Sequence, residues 1–166
     1  MRSGVAVKNK LFTFIATVLA VAALDQLSKA LIMRYMYEGR SFGIVPGLFS
    51  IVHIKNPGAA FGILARGGTL RTIFLVAVSL GALVVTLALI RQAKDTLTAF
   101  SLSLIAGGAI GNLIDRLRFG SVVDFLDFHI KVYHWPAFNI ADMAITVGAA
   151  LAFVCYYILP NTRKQG

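Results

Sequence analysis

The chain is poor in charge, poorer still in acid, and almost devoid of cysteine. Of 166 residues only 14% are Asp, Glu, Lys or Arg, and only seven are acidic. A water-soluble domain uses about 25% charged residues; with so few to cover its surface, a soluble globule this small would expose more apolar area than such proteins tolerate. The single cysteine, Cys155, excludes an internal disulfide framework and a cysteine zinc site, and reads as a small buried hydrophobe. No HExxH, GxSxG or GxxxxGK[ST] pattern occurs, and His53, His129 and His134 form no i, i+4 pair. No metal or cofactor is therefore expected. The net charge of +9 is not nucleic-acid chemistry: the basic residues never form a long run and no nucleic-acid-reading motif occurs.

What is abundant is hydrocarbon, at 58% of the chain before the 15 glycines are counted. A membrane-spanning helix needs about 20 mostly apolar residues, and four segments qualify: residues 11–32, 72–90, 96–114 and 137–159. The first resembles a signal peptide in its small-residue end, AVAAL, but apolar character resumes after Asp25, so it reads as a retained helix. Between the spans lie two segments, 33–71 and 115–136, whose β-branched and aromatic residues with Gly and Pro punctuation suggest short strands at the membrane surface. Trp135, with Tyr133, His134 and Phe138, has the character of a headgroup-level aromatic cluster. The expectation is one integral membrane domain over 1–166, all-α in its spans, with a small outer sheet and surface loop.

Basic residues orient such a bundle. Residues 1–10, 91–95 and 160–166 carry seven Lys and Arg in 22 positions, whereas 33–71 and 115–136 carry eight in 61. The density places both termini in the cytoplasm. Six of the seven acids, Asp25, Glu38, Asp115, Asp124, Asp127 and Asp142, then fall toward the opposite end, and only Asp95 lies on the cytoplasmic side.

Asp142, in FNIADMAI, stands inside the outer end of the fourth span, where an ionisable group is a functional hypothesis by default. Asp124, in GSVVDFLDF, lies in the segment that returns from the third span to the fourth and can reach it; Asp127, three residues on, is its rival. Two neighbouring carboxylates share a proton, giving one acid and one base. Asn56, Asn112, Asp115, Arg116 and Asn139 gather at the same level, able either to hold a peptide backbone or to satisfy helix ends. Asp25 and Lys29, at i, i+4, read as a structural ion pair, and Ser103, Gly107 and Gly111 form a small-residue ridge for helix packing. Intramembrane acids also mark transporters and proton pathways, but those need polar groups spread across the bilayer, and the second span has only Thr72, Ser79 and Thr86.

NPGAAF at 56–61, GGAIGNLIDR at 107–116, GSVVDF at 120–125 and PAFNIAD at 136–142, with DQLSK at 25–29, closely resemble the lipoprotein signal peptidases, the bacterial signal peptidase II family. The blocks occur in order over nearly the whole chain. The resemblance implies a monomeric inner-membrane aspartic endopeptidase that cuts diacylglyceryl-modified prolipoproteins before the lipidated cysteine, with its site near the periplasmic face and lipids and prolipoproteins as partners. It carries the catalytic pair onto Asp124 and Asp142 and suggests substrate contacts at Asn56, Asn112, Arg116 and Asn139. It also implies a periplasmic β-sheet contributed by the first outer segment.

Overall fold

The structure, a computed structural model, describes residues 2–58, 68–93 and 95–159, with side chains from Lys10 onward. Most of the GAAF half of NPGAAF, Lys94 and the basic residues beyond 159 lie outside them. Helix α1 runs Arg2–Tyr35, α2 Gly68–Ile90, α3 Thr96–Phe119 and α4 Ile140–Phe153, the last continuing into a π-helical turn, Val154–Ile158. Strands β1 (Ser41–Val45), β2 (Phe49–Asn56), β3 (Val122–Ile130) and β4 (Tyr133–His134) form one antiparallel sheet in that order.

The bundle is polar inside and apolar outside. Leu11, Phe12, Ile15, Leu19, Leu27 and Leu31 of α1 are exposed, as are Leu70, Phe74, Val84 and Val85 of α2, while Asp25, Lys29, Ser101, Ser103, Asp115 and Asn139 are fully buried. That inversion is stable only where the surrounding solvent is itself apolar. All four helices are long and apolar enough to cross a membrane.

Helix α3 packs against each of the other three. Its small residues permit this: a Cβ on Gly108 would strike the Ala141 carbonyl of α4, and one on Gly107 would stand 2.8 Å from Val21 Cβ of α1. The ridge read from the sequence thus serves α1, and a glycine one position off it serves α4. Asp95 caps the start of α3 by accepting the Thr98 N–H at 2.8 Å, and Gly120 ends the helix at φ 68°, a left-handed conformation that suits glycine.

Helix limits depart from the apolar runs at informative places. Helix α3 continues to Phe119 rather than stopping at 114, because Asp115 and Arg116 turn inward and find partners. Helix α4 begins at Ile140 rather than 137. Pro136 and the backbone pairing of Phe138 with Leu126 keep the preceding residues extended against β3. The sheet takes two strands from each intervening segment, as their residue patterns suggest, and not from the first alone, as the family resemblance implies. It lies at the end of the bundle where α1 and α3 finish and α2 and α4 begin. At the other end Lys10 Nζ donates to the Ala93 carbonyl at 2.9 Å, tying α1 to the α2–α3 turn.

Candidate active site

Asp124 is the third residue of β3 and is 1% exposed. Its register partner is Ile54 of β2, with a one-residue bulge in β2 just before it, between Ile51 and Ile54. Beyond the bulge, β2 delivers Asn56, whose Nδ2 donates to Asp124 Oδ2 at 2.8 Å, while its Oδ1 accepts the Gly58 N–H. From the other side Asn139 Nδ2 donates to Asp124 Oδ1 at 2.6 Å.

Asn139 is also the N-cap of α4. Its Oδ1 accepts the Asp142 N–H at 2.9 Å, and Asp142 Oδ2 accepts the Asn139 N–H at 3.3 Å, a reciprocal capping box. Asp142 Oδ1 accepts from Asn112 Nδ2 at 2.8 Å. One buried residue, Asn139, therefore donates to both carboxylates, to Asp124 through its side chain and to Asp142 through its backbone N–H, and the Asn112 side-chain oxygen accepts from the same side chain at 3.3 Å. Asp142 is half-buried and lines an open cavity of about 490 Å³ with Trp135, Phe138, Met143 and Thr146. The arrangement is a pair of carboxylates, one enclosed and one facing an apolar-walled opening, bridged by amides.

Burial, and then the negative charge of Asp142, push the Asp124 carboxyl up to about 6, against the Asn56 and Asn139 donors and the charge of Lys29, which favour its anion. A protonated-carboxyl infrared band that disappears with a midpoint of about 6, and is absent from Asp124→Asn, is the expected signature. Asn56→Leu removes a donor to the carboxylate without admitting water, so the midpoint moves upward. An unchanged midpoint would mean that Asn56 does not hold this group.

Asp127 does not join the pair. Three positions along a strand is an odd number, which turns the side chain to the other face, where both its oxygens lie 2.9 Å from His134 Nδ1. His134 stacks on His129, which meets Ser50 Oγ at 3.0 Å. Among the described residues no group of three His, Cys, Asp or Glu side chains is placed to hold a metal.

The model of the signal peptidase II family matches residues 17–158 of this chain. The chain belongs to that family. It is 50% identical over 143 residues to the lipoprotein signal peptidase of Geobacter sulfurreducens, covering 85% of this chain and 89% of that one. It is 41% identical over 160 residues to that of Sulfurihydrogenibium sp., covering 94% and 97%. A solved structure titled as a bacterial membrane enzyme superposes with a TM-score of 0.78 at 32% identity, over 88% of this chain and 93% of that chain.

For a signal peptidase II, a membrane aspartic peptidase, the six residues singled out from the sequence converge as a set. Asn56, Asn112 and Asn139 direct their amides onto Asp124 and Asp142, and Arg116 donates to Ser79 Oγ at 3.3 Å and to the Asn112 carbonyl at 3.4 Å. Arg116 makes no ion pair with Asp142 among the described contacts, and neither does Lys29, which is committed elsewhere. Ser79 and Gln26 also join the polar cluster, though the sequence does not single them out as site residues. Gln26 Nε2 donates to Asp115 Oδ1, the Gly111 carbonyl and Asp25 Oδ2. The available signal was its place in DQLSK, a polar cluster inside an otherwise apolar span.

Proposed function

We propose that Asp124 and Asp142 are the catalytic pair of this peptidase, with Asp124 carrying the shared proton and Asp142 acting as base. The observation that carries the reading is Asn139, a single buried residue that donates to the Asp124 carboxylate through its side chain and to the Asp142 carboxylate through its backbone N–H in a capping box. Asp142 takes a proton from a water as the water oxygen attacks the scissile carbonyl carbon; Asp124 donates to the carbonyl oxygen. As the gem-diol collapses, Asp124 takes back a proton from one of its hydroxyls, the C–N bond breaks, and Asp142 gives its proton to the leaving amine. Asn56 and Arg116 offer the surface on which the substrate backbone rests, a planar guanidinium being suited to fix a carbonyl, while the buried Asn112 and Asn139 hold the pair from behind.

The substrate is a diacylglyceryl-modified prolipoprotein, cut before the lipidated cysteine. Its apolar signal segment lies against the helices and its acyl chains remain in the bilayer, so that the bond reaches the pair in one orientation. Purified protein should cut a lipidated precursor at least tenfold faster than the same precursor without lipid; equal rates would overturn lipid-guided presentation.

The sheet and both aspartates lie on the periplasmic side of the inner membrane, both termini are cytoplasmic, and residues 1–166 work as one monomeric domain. The basic-residue densities support this orientation. In a Cys155→Ala background, a membrane-impermeant thiol reagent should modify Glu38→Cys and not Arg91→Cys in intact cells stripped of their outer membrane. The reverse pattern would put the site on the wrong side for its substrate.

A further inference from the structure

We propose that Asp25, Lys29 and Asp115 form a buried clamp that sets the aim of the two aspartates by gripping the backbone one residue upstream of each. Asp115 Oδ2 accepts the N–H of Val123, the residue before Asp124, at 3.0 Å. Asp25 Oδ1 accepts the N–H of Ala141, the residue before Asp142, also at 3.0 Å. Lys29 Nζ joins the two carboxylates, 2.8 Å from Asp25 Oδ2 and 3.0 Å from Asp115 Oδ2. It also donates to Asn112 Oδ1 at 3.1 Å, and Asn112 holds Asp142. Gln26 closes the cluster by donating to both carboxylates.

Stability alone is a poor reason for this cluster. A buried ion pair is often no more stabilising than apolar side chains of the same volume, and here one cation and two carboxylates are buried together. What apolar side chains could not do is accept two specific N–H groups. Ala141 lies in the first turn of α4, where backbone N–H groups have no partner within the helix; Asp25 supplies one from α1, 116 residues earlier. The two grips are equivalent, each acting one peptide before a catalytic side chain, and the shared lysine couples them. Gly111 completes the device: a Cβ there would stand 2.5 Å from Asp25 Oδ2 and 3.0 Å from its Cγ, so only glycine leaves that carboxylate in place.

These three are positioning residues, and the inference rests on Asp124 and Asp142 being the catalytic pair. Two double variants isolate the grip. Asp25→Asn/Lys29→Met keeps an oxygen for the Ala141 N–H; Asp25→Leu/Lys29→Met does not, and the two carry the same charge. The Leu variant should show kcat at least tenfold below the Asn variant, with KM within twofold, since a misplacement of about 1 Å costs on the order of 10²-fold in rate. If neither double variant folds, Gly111→Ala, which pushes on Asp25, is set against Gly107→Ala, which adds the same methyl against Val21; only the first should lower kcat. Equal kcat within either pair overturns the clamp. Asp142→Asn is run alongside: turnover there would overturn the catalytic pair, a failure visible separately from that of the clamp.

Discussion

Asp124→Asn and Asp142→Asn are each expected to lower cleavage of a lipidated precursor by about 10³- to 10⁵-fold, with the double variant little worse than either, because groups that act as one catalytic unit are strongly non-additive. Asn preserves shape but cannot exchange a proton. It also places an NH2 group against a donor: Asp124 accepts from two Asn amides, and Asp142 accepts from Asn112 and a backbone N–H. Melting behaviour must therefore be measured beside activity. Asp127→Asn is the matched comparison, since its carboxylate faces His134, and it should stay within about threefold of wild type. Substantial turnover by either folded single variant at the pair would sink the mechanism. Loss confined to Asp127→Asn would transfer it to the opposite face of β3.

The next largest effect is expected at Asn139, where two jobs can be separated. As N-cap it accepts the Asp142 N–H, and as donor it reaches Asp124 Oδ1 at 2.6 Å. Asn139→Ala loses both and should lower stability by about 1 kcal/mol for the cap, with a further cost for the buried carboxylate left short of a donor. Cleavage should fall by about 10²-fold or more, the scale of a small misplacement of a catalytic group. Asn139→Ser restores an N-cap oxygen but is too short to donate to Asp124. It should recover melting temperature without recovering cleavage. If Ser restores both, the bridge to Asp124 has no catalytic weight; if it restores neither, the cap is not the source of the stability loss.

The sequence by itself determined the solvent, the number of spans and the end of the bundle where the acids gather. Long apolar runs leave few ways to satisfy a backbone except as helices in lipid, and charge is so costly there that seven acids suffice to mark a level. Asp124 and Asp142 were legible because each stands in a block resembling a known family, and Asn56, Asn112, Arg116 and Asn139 came with those blocks.

Only the tertiary structure decided which acids share a partner. The choice between Asp124 and Asp127 turns on the parity of a strand and on the bulge in β2 that brings Asn56 to Asp124, and both depend on a pairing between segments about 70 residues apart. The start of α4 at Ile140, later than its apolar run suggests, follows from Phe138 pairing with Leu126 together with Pro136 and the capping box of Asn139 and Asp142. Asp25 and Lys29 read along the chain as an ordinary i, i+4 pair. Their hold on Ala141, and through Asp115 on Val123, exists because α3 packs closely enough against α1 and α4 to bring three distant polar groups into one dry volume. Periodicity and composition report what each segment must hide from lipid; which hidden groups meet is set by packing between segments, which no local pattern encodes.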